Sequence, residues 1–387
     1  MKTLFTFLLL APISVCLAQQ KLPVVKSNTN AVKIIENKTL ITDWHLEPGV
    51  KPDIYQTGKN INTRNIKILT GTDSLEVNLE AGKSFDFVVL LNGKDSCYTR
   101  FQSPAIKDYS HVKPARHDTI PFVLTKDNNL EVQSVLNQKD SVKLFFDSGA
   151  FGFYLLKTAI KKYLNPDGQP LTMKDISDNN FSIGSLNWQH EQVYPLTITA
   201  DCCEGMFGWD AFDGKVVEID YEQNRMIVHT KRPKISKDYE QFAIEYMKEH
   251  FCIHIPVEVE QKRYTGRFLL DLGYQRAVML DQDMMQQKGL AVKALPVIKA
   301  SEVRNSRNEV IPLVTVAMEK LIFGKYVLEQ VPAQVNSATQ PAGYATNFLG
   351  GEVLKRFNII LDFQKHVVYL KPNHLFKVPY AESDKKS

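Results

Sequence analysis

Two acidic residues of this chain sit in matching contexts. Asp147 ends the apolar run Leu144-Phe145-Phe146 and is followed by Ser148-Gly149-Ala150. Asp271 ends Phe268-Leu269-Leu270 and is followed by Leu272-Gly273-Tyr274. A carboxylate at the end of a buried strand is costly unless it is hydrogen-bonded or used. A glycine two residues later lets the backbone turn tightly and leaves amide donors near the carboxyl. If two such loops meet, two carboxyls about 3 Å apart cannot both ionise easily, and they share one proton. The ionised oxygen then takes a proton from a water, and the protonated one donates to a carbonyl. That is general acid–base hydrolysis of an amide, with no covalent intermediate, metal or cofactor. Such a pair titrates as a unit.

Elements that repeat must bring these residues together. Gly205-Met206-Phe207-Gly208-Trp209-Asp210 leads to Val216-Val217-Glu218-Ile219-Asp220-Tyr221, and Asn347-Phe348-Leu349-Gly350-Gly351-Glu352 leads to Asn358-Ile359-Ile360-Leu361-Asp362-Phe363. The spacing from Gly208 to Asp220 is 12 residues, as it is from Gly350 to Asp362. Copies longer than a hundred residues are not solenoid units. They read as one β-rich lobe occurring twice, over residues 116–234 and 235–387, with a linker near Lys231-Arg232-Pro233-Lys234. Gln241 to Val259 reads as a strand or hairpin opening the second copy. Upstream, Leu75, Val77 and Leu79 alternate with polar residues, and Phe85–Leu91 runs into an Asn92-Gly93 turn. Residues 19–115 therefore read as a small β domain, with Ser103 to Asp118 as its exit linker.

Phe145-Phe146-Asp147-Ser148-Gly149-Ala150 resembles the active-site signature of retropepsin-like aspartic proteases, and the Phe207-Gly208 and Leu349-Gly350 segments resemble the apolar-apolar-Gly element that supports that loop from behind. The resemblance covers roughly residues 119 to 376. The duplication within one chain is similar to the pepsin-like arrangement. It implies an all-β fold, a bilobal acid-protease unit behind the small N-terminal domain, acting as a monomer on peptide or protein substrates. It implies Asp147 and Asp271 as catalytic residues, with Ser148, Gly149, Ala150, Leu272 and Gly273 shaping the loops. In the family a Ser or Thr stands where this chain has Leu272, and its hydroxyl stiffens the paired loops. A relative that binds peptides or envelope components without cleaving them is the alternative that Leu272 suggests.

The rest of the chain bounds the answer. Lys2 and the apolar run Leu4–Leu17, followed by Ala18, read as an export signal over residues 1–18, which directs the chain to the periplasm or medium. Val15 is bulky where a lipoprotein signal wants a small residue, so lipidation is not expected. No second long apolar run occurs, so no membrane span is expected. A net charge of +4 over 387 residues argues against a dedicated nucleic-acid binder. Cys97, Cys202, Cys203 and Cys252 are too few for a disulfide scaffold. His250, Cys252 and His254 alternate along one strand face, but no fourth ligand is evident, so no metal is expected. Asp220 and Asp362 precede polar turns and read as hairpin caps. Asp210 and Glu352 read as satisfying local backbone donors. Tyr154, Trp188 and Trp209 read as core before cleft. Ser182 to Val193, with Gly184, is a candidate for a hairpin covering the site.

Overall fold

The computed structural model describes residues 21–381 apart from 166, 167, 169–171, 197–202, 282, 283, 286–288, 305–309, 337–339 and 341. The proposed export signal and Cys202 lie outside the described residues. The fold is mostly β, with strands in five sheets and few, short helices.

Residues 24–102 form two four-stranded sheets. The alternation of Ala31–Glu36 and Arg64–Leu69 buries Val32, Ile34, Ile66 and Ile68 on one side. Val25, Phe87, Val89 and Phe101 of the other sheet meet them in one core. Asn92 and Gly93, at φ +50° and +69°, give the left-handed part of the three-residue turn between Ser84–Leu91 and Asp95–Gln102. Arg64 and Glu36 are paired deep in this unit, and Tyr55 donates to Glu36 at 2.9 Å.

The remaining chain builds two eight-stranded sheets with the same central motif. In the first, Asp140–Asp147 runs parallel to Gly205–Gly208, which sets Asp147 beside Gly208. In the second, Lys262–Asp271 runs parallel to Asn347–Gly350, which sets Asp271 beside Gly350. The strand following each acidic loop returns antiparallel on the other side of the glycine strand: Phe153–Leu156 in one sheet, Val278–Leu280 in the other. The stretches leading into the two loops, Leu144–Phe146 and Phe268–Leu270, are apolar and buried on both faces. In the second sheet six strands close on themselves, since His250–Val259 also pairs with Val310–Phe323.

A six-stranded sheet takes three strands from each copy. Its order is Glu240–Ala243, Val367–Pro372, Phe357–Asp362, Val216–Asp220, Arg225–His229, His117–Pro121. The central ladder pairs Val217 with Leu361, Glu218 with Ile360 and Ile219 with Ile359. Glu218 and Ile360 differ by 142 positions, as do Gly208 and Gly350. The register is therefore symmetric about the Glu218–Ile360 pair, and the two copies face each other across it. One continuous apolar core, with members from both copies, lies behind.

Two expectations change. The Ser182–Val193 segment is a tight hairpin fastened to the body of its sheet: the Ser185 hydroxyl bonds Asp118, and Trp188 Nε1 donates to Ala211 O at 3.0 Å. The longer hairpin is Val297–Arg304 with Val310–Phe323 in the second copy. The Ser103–Asp118 segment is also more than a tether. Tyr109 N donates to Gly214 O at 3.1 Å, and His117–Pro121 joins the six-stranded sheet.

Candidate active site

The loops following the two parallel strand pairs put Asp147 and Asp271 together. Their carboxyl groups hydrogen-bond each other. Asp147 is 9% exposed and Asp271 is half-buried, so the pair keeps an opening to solvent. Each carboxyl is held by its own loop: Gly149 N donates to Asp147 Oδ1 at 2.8 Å, and Tyr274 N donates to Asp271 Oδ1 at 2.8 Å.

Each carboxyl also lies against the other loop's glycine. A Cβ on Gly149 would stand 2.7 Å from Asp271 Cγ, and one on Gly273 would overlap the Asp147 carboxylate. Only glycine at both positions lets the two acids approach. Behind the loops, a side chain on Gly208 would collide with the Ala150 carbonyl, and one on Gly350 with the carbonyls of Tyr274 and Arg276. In their place run short backbone bonds: Gly208 N to Gly152 O at 2.8 Å, Gly350 N to Ala277 O at 2.9 Å and Gly351 N to Tyr274 O at 2.7 Å.

Burial pushes both carboxyls above their ordinary range. For Asp147 the Gly149 amide and the bond from Asp271 pull the other way. For Asp271 the neighbouring Asp147 charge adds to the rise, which carries it well above the usual carboxylate range. The two carboxyls therefore hold one proton between them and titrate as a unit.

Ser148 ties the loops from one side. Its hydroxyl, 1% exposed, donates to Leu270 O at 2.8 Å and accepts from Leu272 N at 3.1 Å. Leu272 offers no hydroxyl in return; it is 2% exposed and packs in the main core. Ala150 is buried beside the supporting glycine strand. Sequence reasoning missed what substitutes on the Leu272 side. Asn129 Nδ2 donates to Leu272 O at 3.2 Å. Asn128 Nδ2 donates to Gln275 O at 2.7 Å and to Glu352 Oε2 at 3.1 Å. In sequence the two asparagines mark only a turn, and at position 128 that turn is real, with φ at +67°. Their long-range partners leave no local trace.

The other candidate residues have structural partners. Asp220 Oδ1 accepts from Glu222 N at 3.0 Å and Gln223 N at 3.2 Å; Asp362 Oδ1 accepts from Gln364 N at 3.0 Å and Lys365 N at 2.8 Å. Both are hairpin caps. Asp210 Oδ1 accepts from Gly152 N at 2.7 Å. His254 bonds Glu245 at 2.6 Å, His250 bonds the Tyr344 hydroxyl at 3.2 Å, and the Cys252 thiol lies 3.7 Å from that same hydroxyl. Burial pushes the Cys252 thiol up to about 12. Cys97, Cys203 and Cys252 are buried and form no disulfide with one another. Trp209 is 1% exposed and Trp188 packs against the main core.

A cavity of about 960 Å³ opens beside this site. Thr57, Lys59 and Lys107 of the N-terminal segment form one wall; Phe151, Asp210 and Glu249 are on the other side. Comparison with known proteins adds no identity: no family model matches the chain, and no curated protein matches it.

Proposed function

We propose that this chain is an exported aspartic endopeptidase of the retropepsin-like and pepsin-like kind, hydrolysing peptide bonds by a water held between Asp147 and Asp271. One observation carries the reading: the two carboxyls are hydrogen-bonded to each other, each against the other loop's glycine. A partly buried pair holding a single proton supplies both a base and an acid within reach of one bound water. Asp147 takes the water's proton as its oxygen attacks the carbonyl carbon. Asp271 gives its proton to the carbonyl oxygen. The tetrahedral intermediate then collapses: one hydroxyl returns its proton to Asp271 as the C=O bond re-forms, the C–N bond breaks, and the proton on Asp147 passes to the leaving nitrogen. In this reading residues 116–234 and 235–387 are the two lobes, residues 19–115 a fused β domain, and residues 1–18 leave at export.

Leu272 favours a second reading, a peptide-binding relative with weakened turnover, because a hydroxyl tie is present on one side of the pair alone. Asp147→Asn decides between them. In a peptide-library assay scanned over pH, the peptidase reading expects cleavage by the parent chain and its loss in the variant, by roughly a thousandfold or more. A parent chain that binds peptides and cleaves none at any pH overturns it in favour of the second.

A further inference from the structure

We propose that the cavity between the N-terminal β segment and the loop following Asp147 is a substrate subsite that accepts a positively charged group of the peptide, held by the Asp210 carboxylate. The inference rests on the peptidase reading for the word substrate, and on the cavity alone for the cation.

The cavity borders the segment that follows the Asp147 loop. Phe151, four residues beyond Asp147, stands in its wall and is 41% exposed. Asp210 in the same wall holds the amide of Gly152 at 2.7 Å, so it is coupled to the loop that carries Asp147. Burial, and after it the charges of Glu249, Asp210 and Asp147, push the Tyr154 hydroxyl up. The opposite wall is built, not merely adjacent. Lys59 is paired with Asp213, Arg64 Nη2 donates to Tyr246 O at 3.1 Å, and Gly58 packs so closely on the Lys248 backbone that no side chain fits there.

The second copy shows what this position does with a cation. Glu352 is the counterpart of Asp210, two residues beyond the supporting glycine in each motif. Glu352 is 4% exposed and binds two cations of its own chain, Lys355 Nζ at 2.8 Å and Arg356 Nη2 at 2.9 Å. Asp210 makes no ion pair among the described residues, and where Glu352 meets protein, Asp210 meets the cavity. Two further acids act in the same region, Glu191 and Glu249; of the three lysines lining the cavity, Lys59 is paired with Asp213, Lys248 Nζ donates to Gly343 O at 3.3 Å, and Lys107, on an exposed stretch, is the one whose charge acts on Asp210. Burial pushes the Asp210 carboxyl up to about 6, so at neutral pH and above it carries its charge. Phe151 offers an apolar face for the stem of an incoming ammonium group.

Two sources of such a group exist, the amino terminus of the peptide and a lysine or arginine side chain. The test uses the full exported chain carrying Asp147→Asn, so that probes are not consumed, and the same chain with Asp210→Asn added. Asparagine keeps an oxygen for the Gly152 amide and removes the charge. Calorimetry at neutral pH compares three amidated hexapeptides: a neutral sequence with a free amino terminus, its acetylated form, and an acetylated form with lysine at the second position. At least one charged probe should bind roughly tenfold more tightly than the acetylated neutral one. That ratio should fall to near one with Asp210→Asn, and the probe that shows it identifies the source. A ratio near one in the parent, a ratio that survives Asp210→Asn, or no binding of any probe overturns the subsite. Turnover of the wild-type chain is scored separately: a chain that cleaves nothing yet keeps the Asp210-dependent ratio retains the subsite and loses the peptidase reading.

Discussion

The Ser148 hydroxyl spans the two acidic loops, donating to Leu270 O at 2.8 Å and accepting from Leu272 N at 3.1 Å. It is the side-chain tie on one side of a pair whose other side presents a leucine. Ser148→Ala leaves a buried carbonyl and a buried amide without this partner, at a cost of about 1–3 kcal/mol. We expect a lower urea midpoint with unchanged slope, and a fall in kcat larger than any change in KM. Leu272→Thr, which restores the residue type of the resembled family, should not help. It removes core volume at a site 2% exposed and should cost about 2 kcal/mol or more.

Asp271→Asn should trade activity for stability at neutral pH. The folded state raises the Asp271 pKa well above 3.8 because of burial and the Asp147 charge. For an acid raised in this way, stability is fully present below the unfolded value and is lost as pH climbs through the folded one. Asparagine carries no proton to lose, so the variant should melt higher than the parent at pH 7. The advantage should vanish as pH drops below 3.8. Thermal unfolding across pH reads this directly, and a variant that melts lower at pH 7 would contradict it. In the peptidase reading the wild-type activity should decline along the same alkaline limb, because that reading needs one proton on the pair to give to the substrate.

Gly273→Ala tests the approach of the two acids. The added methyl would occupy the place of the Asp147 carboxylate. The pair must spread or turn, and a displacement near 1 Å costs on the order of a hundredfold in rate. The loss should appear in kcat/KM for every substrate alike, with a folded far-ultraviolet spectrum retained.

Arg64→Ala tests whether the N-terminal unit is bound into the whole. Arg64 and Glu36 are 3% and 1% exposed, and Arg64 also reaches Lys59 O and Tyr246 O. Removing the guanidinium strands a buried carboxylate and should cost about 3–5 kcal/mol. Urea unfolding followed by near-ultraviolet absorbance checks the magnitude, and a loss under about 1 kcal/mol would mean that the pair is dispensable.

What could be read in advance depended on how local each signal was. The two Asp-x-Gly runs and the two apolar-apolar-Gly segments are continuous stretches of sequence, and their equal 12-residue spacing to Asp220 and Asp362 exposed the repeat. The same pairing in space, Asp147 beside Gly208 and Asp271 beside Gly350, follows from that repetition. The β character was legible in period-2 alternation, as in Ser74–Leu79, where Leu75, Val77 and Leu79 are the less exposed positions and Ser74, Glu76 and Asn78 the exposed ones. Asn128 and Asn129 escaped because their partners lie 143 to 224 residues away. Ser182–Val193 looked like a covering hairpin because Gly184 marks a turn; a turn says nothing of what the hairpin lies against, and here it lies on Asp118 and Ala211. The cavity beside the acids was invisible for a similar reason, since its walls come from units far apart along the chain.

The ladder centred on Glu218 and Ile360 also sets a schedule for folding. Three of its six strands lie beyond Tyr239, in the second copy, the last of them Val367–Pro372. A chain whose second copy has not folded cannot complete that sheet, and so lacks the ladder across which the two copies face each other. Pairings this distant form slowly. The two acidic loops are consequently brought together only when strands of both copies have found each other.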